Sequence, residues 1–191
     1  MRILHSRKTF RHISGCMQRS DRMRLFIAVL LESNMKRALT DAQKALRQRN
    51  YSGHYTDERN LHLTLSFIGE YNDPDAVLEA MEAILFSPCD LIFNGYIGNF
   101  GDLLWAGTEP CPALDKYVKQ LRHALAERGI PFDKKKFHPH ITLLRNAASR
   151  QPFSDISIAQ ESMTVQRISL MRSDFGKHGA QYTEIDAVEY L

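Results

Sequence analysis

The chain contains the segment Leu61-His62-Leu63-Thr64-Leu65-Ser66-Phe67 and, further along, Phe137-His138-Pro139-His140-Ile141-Thr142-Leu143. Side chains on a β-strand alternate between its two faces, so His62 shares a face with Thr64, and His140 shares one with Thr142. The opposite faces are apolar, with Leu61, Leu63, Leu65 and Phe67 in the first segment and Phe137, Ile141 and Leu143 in the second. Each segment therefore predicts a strand with one buried face and one histidine-bearing face, as expected at the floor of a cleft.

The residues before the two segments also repeat. Apolar runs at residues 24–31 and 103–107 predict strands, and Phe26 precedes His62 by 36 positions, whereas Trp105 precedes His140 by 35. Apolar side chains at helical spacing lie between, at Met35, Leu39, Ala42 and Leu46 and again at Leu114, Tyr117, Leu121 and Ala124. Gly129 and Pro131 indicate where the second helix ends. The two halves thus share a strand, helix and strand order.

Further elements follow each histidine segment. Asp73-Pro74 is a favourable helix start, and the apolar face of that helix would contain Val77, Leu78, Met81, Ile84 and Leu85. Strands are predicted near residues 91–97, 163–171 and 181–190. The pattern predicts an α+β fold of two pseudo-symmetric lobes, each an antiparallel sheet with outer helices, that form a central cleft.

Composition favours one bilobal domain over residues 23–191. The chain has 191 residues, 43% of them hydrophobic, and a net charge of +3, enough for a substantial core. Residues 1–22 contain six Arg or Lys against Asp21 alone, and we expect a disordered basic extension or a start-site artefact, with an organellar targeting peptide as a weaker alternative. No apolar run is long enough for a membrane helix.

The cysteines and charges limit the class of protein further. Cys16, Cys89 and Cys111 are scattered and form no Cys-x-x-Cys pair, which argues against a disulfide scaffold or a thiolate zinc site and fits the cytoplasm. The basic run at 134–136 leads into the second histidine segment. This run is either a solvated loop or a lip that attracts phosphate.

Two imidazoles facing one cleft suit a reaction that takes a proton on one side of a centre and gives one on the other, because either form of histidine is available near neutral pH. The threonine hydroxyls could hold non-bridging phosphate oxygens or orient the histidines. A phosphodiester substrate fits this set. The sequence contains neither a phosphate-binding glycine loop nor a carboxylate cage for magnesium.

On these residues the chain resembles the two-histidine phosphoesterase superfamily, and within it the RNA 2′,3′-cyclic phosphodiesterase branch, historically called 2′-5′ RNA ligase. The likeness runs from about Arg24 to Leu191. Besides both His-x-Thr motifs it includes Phe67-Ile68-Gly69-Glu70, Trp105-Ala106-Gly107, Phe137-x-Pro139-His140, Arg145, Arg172-Ser173-Asp174-Phe175 and Gly179-Ala180-Gln181-Tyr182-Thr183. Residues 1–22 have no counterpart in it.

The resemblance implies hydrolysis of a terminal 2′,3′-cyclic phosphate to a 2′-phosphomonoester, without a metal or other cofactor. It makes His62 the proton donor to the leaving O3′ and His140 the base that activates water. Thr64 and Thr142 would bind the phosphate oxygens, with Arg145 as a further contact. The implied partners are RNA or oligonucleotide ends with a cyclic phosphate, and the reverse reaction would join RNA ends through a 2′-5′ linkage. The residues alone do not distinguish acid from base. We expect a cytoplasmic monomer.

Two alternatives remain open from the sequence. His138 and His140, with His62 opposite, could form a three-histidine metal site of a metal-dependent hydrolase. The chain could instead be a non-catalytic RNA-binding module in which Phe100, Trp105 or Tyr182 stacks on bases. For Phe100 and Trp105 the apolar strand context favours a place in the core.

Overall fold

A computed structural model describes residues 3–4, 23–149, 152–176 and 179–190. The helices are α1 (Ser33–Gln48), α2 (Pro74–Glu82) and α3 (Pro112–Glu127), with a single 3₁₀ turn at Glu58–Asn60. The strands are β1 (Ile3–Leu4), β2 (Met23–Leu30), β3 (Ser52–Tyr55), β4 (His62–Tyr71), β5 (Cys89–Phe100), β6 (Leu103–Thr108), β7 (His140–Ala148), β8 (Ser162–Val165), β9 (Arg167–Gly176) and β10 (Gly179–Tyr190).

The strands form two antiparallel five-stranded sheets, one in each lobe. The first lobe has the order β1-β10-β9-β2-β4, and the second has the order β3-β7-β6-β5-β8. The run β10-β9-β2-β4 corresponds to β8-β5-β6-β7, with the two histidine strands β4 and β7 in equivalent positions. These two strands also contact each other where the lobes meet. The predicted α+β fold is therefore confirmed.

The helices pack across the lobes. α1 follows a strand of the first sheet but packs against β7 and β8 of the second, whereas α3 follows a strand of the second sheet but packs beside β4 and α2. Both helices bury the predicted stripes, with Met35, Leu39 and Leu121 fully buried. Each such side chain contributes about 1.5–3 kcal/mol of hydrophobic free energy. The exchanged helices join the lobes through one continuous apolar core.

The repeat in the sequence suggested that the lobes are the N- and C-terminal halves of the chain. The structure divides the chain differently. β5 belongs to the second lobe, and β9 and β10 return to the first. The strand predicted at 163–171 is wrong as a single element, because it breaks at Gln166 and its two parts join different sheets. The Gln166 carbonyl accepts a hydrogen bond from the Tyr190 amide at this break. β3, which pairs with β7, was not predicted.

The predicted helix boundaries largely agree with the structure. Asp73 caps α2 by accepting a hydrogen bond from the Ala76 amide, and Gly129 has the left-handed conformation, with φ 65°, just beyond α3. α2 ends at Glu82, so Leu85 lies outside the helix and is exposed rather than part of its apolar face.

The predictions for residues 1–22 fall outside the described residues, except at Ile3 and Leu4. These two pair with Tyr190 and Glu189 of β10. Within the described residues, no helix is long and apolar enough to cross a membrane.

Candidate active site

The two histidines begin strands in equivalent positions, β4 at the edge of the first sheet and β7 next to the edge strand β3 of the second. In the first lobe His62 lies opposite Leu30 of β2, and in the second His140 lies opposite Gly107 of β6. The strands β4 and β7 contact each other, and the charges of Arg145 and His140 lower the pKa of His62, so these three groups lie close together where the lobes meet. The structure thus brings the two motif histidines into one region, with Arg145 near both.

His62 is held by hydrogen bonds at both ring nitrogens. Its Nδ1 lies 2.7 Å from the carbonyl oxygen of Asn60, and its Nε2 lies 2.9 Å from Oγ1 of Thr64. Because a carbonyl can only accept, neutral His62 carries its proton on Nδ1, and the Thr64 hydroxyl donates to Nε2. The Asn60 side chain is itself fixed, since it donates to the carbonyl of Ala180 at 2.8 Å. The Nε2 lone pair therefore accepts from Thr64, whose side chain shares the cleft face of β4.

His140 is held in the same way at its Nδ1 atom. Its Nδ1 donates to the carbonyl oxygen of His138 at 2.7 Å. In both motifs, therefore, the carbonyl two residues before the histidine fixes the imidazole. Sequence reasoning missed these two positions, because a backbone acceptor leaves no signal in the residue type.

Burial lowers the pKa of both histidines. The pKa of His62 falls to about 4, chiefly by burial, with smaller effects from the charges of Arg145 and His140. The pKa of His140 is also lowered by burial, and then by the charges of His138 and Arg145. The Asn60 and His138 carbonyls act in the opposite direction, because each accepts a hydrogen bond from its imidazole. Both imidazoles are therefore neutral at neutral pH in the free protein.

A β-bulge follows each histidine at the same distance. The register of β4 against β2 skips Leu65, and that of β7 against β6 skips Leu143, each three residues beyond its histidine. A bulge inserts one residue and reverses which face the later side chains occupy. Phe67 and Arg145, each five residues beyond a histidine, are equivalent across the two lobes, and the bulges turn both toward the cleft.

These bulges correct one prediction and explain another. Phe67 was expected on the buried face, but it is 47% exposed and its ring lies 6.0 Å from that of Phe26 on the cleft side. For Arg145, the same reversal brings the guanidinium close enough to lower the pKa of both histidines. Phe137, expected on the buried face of the second strand, lies before β7 begins and packs at the edge of the core.

Aromatic rings surround each imidazole. The His62 ring centroid lies 4.9 Å from Phe26 and 5.1 Å from Tyr182. The His140 centroid lies 5.3 Å from Phe100 and 6.1 Å from Trp105.

The expected core position of Phe100 and Trp105 is therefore wrong. Phe100 is 46% exposed, and Trp105 lies opposite Thr142 on the cleft side of β6. Gly98 makes room for the indole ring, because a Cβ at that position would overlap it. Sequence reasoning missed this role of Gly98.

His138 and the basic run occupy the rim of the cleft. The His138 side chain is exposed, and its ring lies 5.0 Å from that of Trp105. Residues 134–136 are exposed and follow Asp133, whose amide donates to the carbonyl of Phe67 at 2.9 Å. The basic run is therefore attached beside the cleft. Across the described part of the chain, no three His, Cys, Asp or Glu side chains are grouped so that they could hold a metal ion.

A sequence model of the family described as the 2′-5′ RNA ligase superfamily matches residues 35–177. The chain belongs to this superfamily. Among its relatives is the RNA 2′,3′-cyclic phosphodiesterase of Thermus thermophilus, 31% identical over 178 residues that cover 86% of this chain and 88% of the relative. The protein of the same name from Thermotoga maritima is 30% identical over 136 residues, covering 64% of this chain and 70% of the relative.

A solved structure of the superfamily has the same fold. The crystal structure of E. coli LigT complexed with 3′-AMP aligns with a TM-score of 0.77 and 25% identity, covering 90% of this chain and 99% of that one. Together with the named relatives, it confirms the predicted family and the prediction that the chain is an enzyme of the cyclic phosphodiesterase type.

Proposed function

We propose that this protein hydrolyses the 2′,3′-cyclic phosphate at an RNA end to a 2′-phosphomonoester, with His62 as proton donor, His140 as proton acceptor and no metal ion. The observation that carries the proposal is the pair of imidazoles, each fixed through Nδ1 by a carbonyl, that share one cleft. The substrate class follows from the relatives named RNA 2′,3′-cyclic phosphodiesterase.

In the proposed step, Nε2 of His140 takes a proton from a water molecule whose oxygen attacks phosphorus. The bond between phosphorus and O3′ breaks, and O3′ takes a proton from Nε2 of protonated His62. The products are a 2′-phosphomonoester and a 3′-hydroxyl, and the two histidines then exchange protons with solvent. Fixed imidazoles on opposite sides of phosphorus favour this in-line geometry.

The assignment of acid and base follows the superfamily resemblance, and the lowered pKa of His62 is compatible with it. His62, with its pKa lowered to about 4, is a strong acid once protonated, so it transfers its proton readily to a leaving alkoxide. A bound phosphate anion raises the pKa of a nearby imidazole, so substrate binding increases the protonated fraction of His62. Because burial lowers the pKa of His140 as well, the pKa shifts by themselves do not tell acid from base.

Thr64, Thr142 and Arg145 are proposed to hold the non-bridging phosphate oxygens. Hydroxyl and guanidinium groups donate hydrogen bonds to such oxygens, and a charged donor also stabilises the negative charge that builds up in the transition state. The effect of Arg145 on the pKa of both histidines supports a position near both of them.

The non-catalytic RNA-binding alternative would use the same cleft. The partly exposed Phe100 ring and the exposed lysines at 134–136 could contact bases and backbone in either case. The alternatives therefore differ in turnover rather than in binding.

The test is a short RNA with a 2′,3′-cyclic phosphate, incubated with wild-type, His62→Ala and His140→Ala proteins. We expect a 2′-phosphate product from the wild type, losses of at least about 10³-fold in kcat for each variant, and little change in RNA affinity. His123→Ala, on the exposed surface of α3, is the matched control. Turnover that survives both cleft substitutions, or a 3′-phosphate product, would overturn the proposal.

The same assay with a chelator distinguishes the proposed metal-independent mechanism from the metal-dependent alternative. Unchanged turnover in excess EDTA supports metal independence, whereas loss of activity that zinc restores would support the three-histidine site. His138→Ala should leave turnover within about threefold, because its carbonyl rather than its imidazole holds His140.

Three further points belong to the proposal. Weak reverse ligation of RNA ends follows from microscopic reversibility. A monomer is proposed because one chain supplies all the site residues, with residues 23–191 as a single bilobal domain. A cytoplasmic location is proposed because the sequence has no Cys-x-x-Cys pair or disulfide-rich pattern.

A further inference from the structure

Two of the three cysteines lie against each other, although 22 residues separate them in sequence. The Sγ atoms of Cys89 and Cys111 are 2.9 Å apart, and both residues are half-buried free thiols. The scattered spacing in the sequence gave no indication of this contact.

The two cysteines sit at the open end of a β-hairpin. Cys89 is the first residue of β5, and Cys111 precedes the first residue of α3, just after β6. The backbone already holds this end together, because the Glu109 amide donates to the Ile92 carbonyl at 2.8 Å. The two sulfurs are therefore brought together by secondary structure that is formed whether or not they are bonded.

We propose that Cys89 and Cys111 are a modification site, at which an oxidant of the peroxide class reversibly forms a disulfide across the open end of the β5–β6 hairpin. This site is separate from the histidine cleft, and the proposal does not rest on the proposed function. The cross-link would tie a strand of the second lobe to the start of α3, the helix that packs on the first lobe.

The chemistry balances with one peroxide molecule. The Cys111 sulfur attacks a peroxide oxygen, the O–O bond breaks, and a sulfenic acid and one water molecule form. The Cys89 sulfur then attacks the sulfenic sulfur, the S–O bond breaks, and a second water molecule leaves as the disulfide forms. Burial and the contact with Cys111 raise the pKa of the Cys89 thiol to about 12, which supports Cys111 as the sulfur that reacts first.

The experiment uses the full chain in a Cys16→Ser background, so that only the pair can react. The protein is treated with hydrogen peroxide and then denatured in the presence of N-ethylmaleimide, which alkylates the free thiols. We expect the oxidised protein to lose two hydrogen atoms and take up no maleimide, whereas the reduced protein takes up two. Dithiothreitol should restore both thiols.

Peptide mapping identifies the bond. Cleavage before the aspartates at 75, 90, 102 and 115 puts Cys89 in residues 75–89 and Cys111 in residues 102–114. These two peptides should migrate as one species until they are reduced. Retention of two reactive thiols, sulfinic acid formation at either residue, or exclusively intermolecular dimers would overturn the proposal.

Thermal unfolding gives a second measurement. A disulfide that closes this loop without distortion should raise Tm by about 5–10 °C, and an unchanged or lower Tm on oxidation would contradict it. Cys89→Ala and Cys111→Ala, each in the Cys16→Ser background, are the controls. They should fold, with peroxide producing no increase in Tm, no loss of two hydrogen atoms and no linked peptide.

Discussion

Nε2 of His62 lies 2.9 Å from the hydroxyl oxygen of Thr64, on the cleft face of β4. The hydroxyl can donate to the neutral imidazole in the free protein and to a phosphate oxygen when substrate is bound. The strand alternation that puts both side chains on one face thus couples the proposed acid to a proposed substrate contact.

Thr64→Val should lower kcat/KM for a cyclic phosphate by about 10- to 100-fold. The substitution keeps the shape of the side chain but removes a hydrogen bond to a charged group, which contributes about 1.5–3 kcal/mol. Steady-state kinetics on the cyclic oligonucleotide measure the change. Thr164→Val, at an exposed position of β8, is the control and should change kcat/KM less than twofold. An equal loss of kcat/KM in both variants would contradict the role proposed for Thr64.

The pH profile of kcat/KM should be bell-shaped, with both limbs below pH 6.5. The proposed mechanism requires protonated His62 and neutral His140, and the free protein holds the pKa of each below its ordinary value. Arg145→Gln removes a positive charge that lowers both pKa values, so both limbs should move to higher pH. Arg37→Gln, exposed on α1, should leave them in place. If the limbs move no further in Arg145→Gln than in Arg37→Gln, the Arg145 charge does not affect the pKa of the histidines.

Stability should fall with acid because His62 is buried in its neutral form. Its pKa is about 4 in the folded protein and about 6.5 when unfolded, so the unfolded state binds more protons between these values. This contribution is present above pH 6.5 and is lost as the pH falls to 4, a loss of about 3 kcal/mol in the free energy of unfolding.

Denaturant unfolding at several pH values between 4 and 7 measures this effect. In His62→Gln the decrease should be smaller by about 3 kcal/mol, whereas in His123→Gln, a substitution at the surface, it should match the wild type. The same pH dependence in all three proteins would contradict the buried neutral imidazole.

Gly98→Ala should displace the only tryptophan of the chain. A Cβ on Gly98 would overlap the Trp105 ring, and such overpacking costs about 1–3 kcal/mol. Trp105 is the sole tryptophan in the sequence, so its fluorescence reports the movement directly. We expect a change in its emission maximum and a lower kcat/KM, because the ring lies beside His140.

Gly176→Ala is the matched control for this substitution. Among the described residues, a Cβ there meets only the Gly179 carbonyl oxygen, at 4.0 Å, so emission and activity should be unchanged. If Gly98→Ala also leaves the emission maximum unchanged, the close packing of Trp105 on β5 is incorrect.

Much of the candidate site could be predicted from local pattern. Alternation put His62 with Thr64 and His140 with Thr142, and the helical stripes of α1 and α3 are buried as expected. Such features depend on residues a few positions apart, so a single sequence contains them. Phe67 and Trp105 were predicted incorrectly because their exposure depends on a bulge and on the glycine of a neighbouring strand.

The sequence by itself determined the two histidine strands, the amphipathic helices and their capped ends, because strand and helix periods are local properties of the chain. Only the tertiary structure decided which sheet each strand joins, where the bulges at Leu65 and Leu143 fall, and that Cys89 meets Cys111. These features depend on the register between strands that are distant in sequence, and the burial of one shared core selects that register.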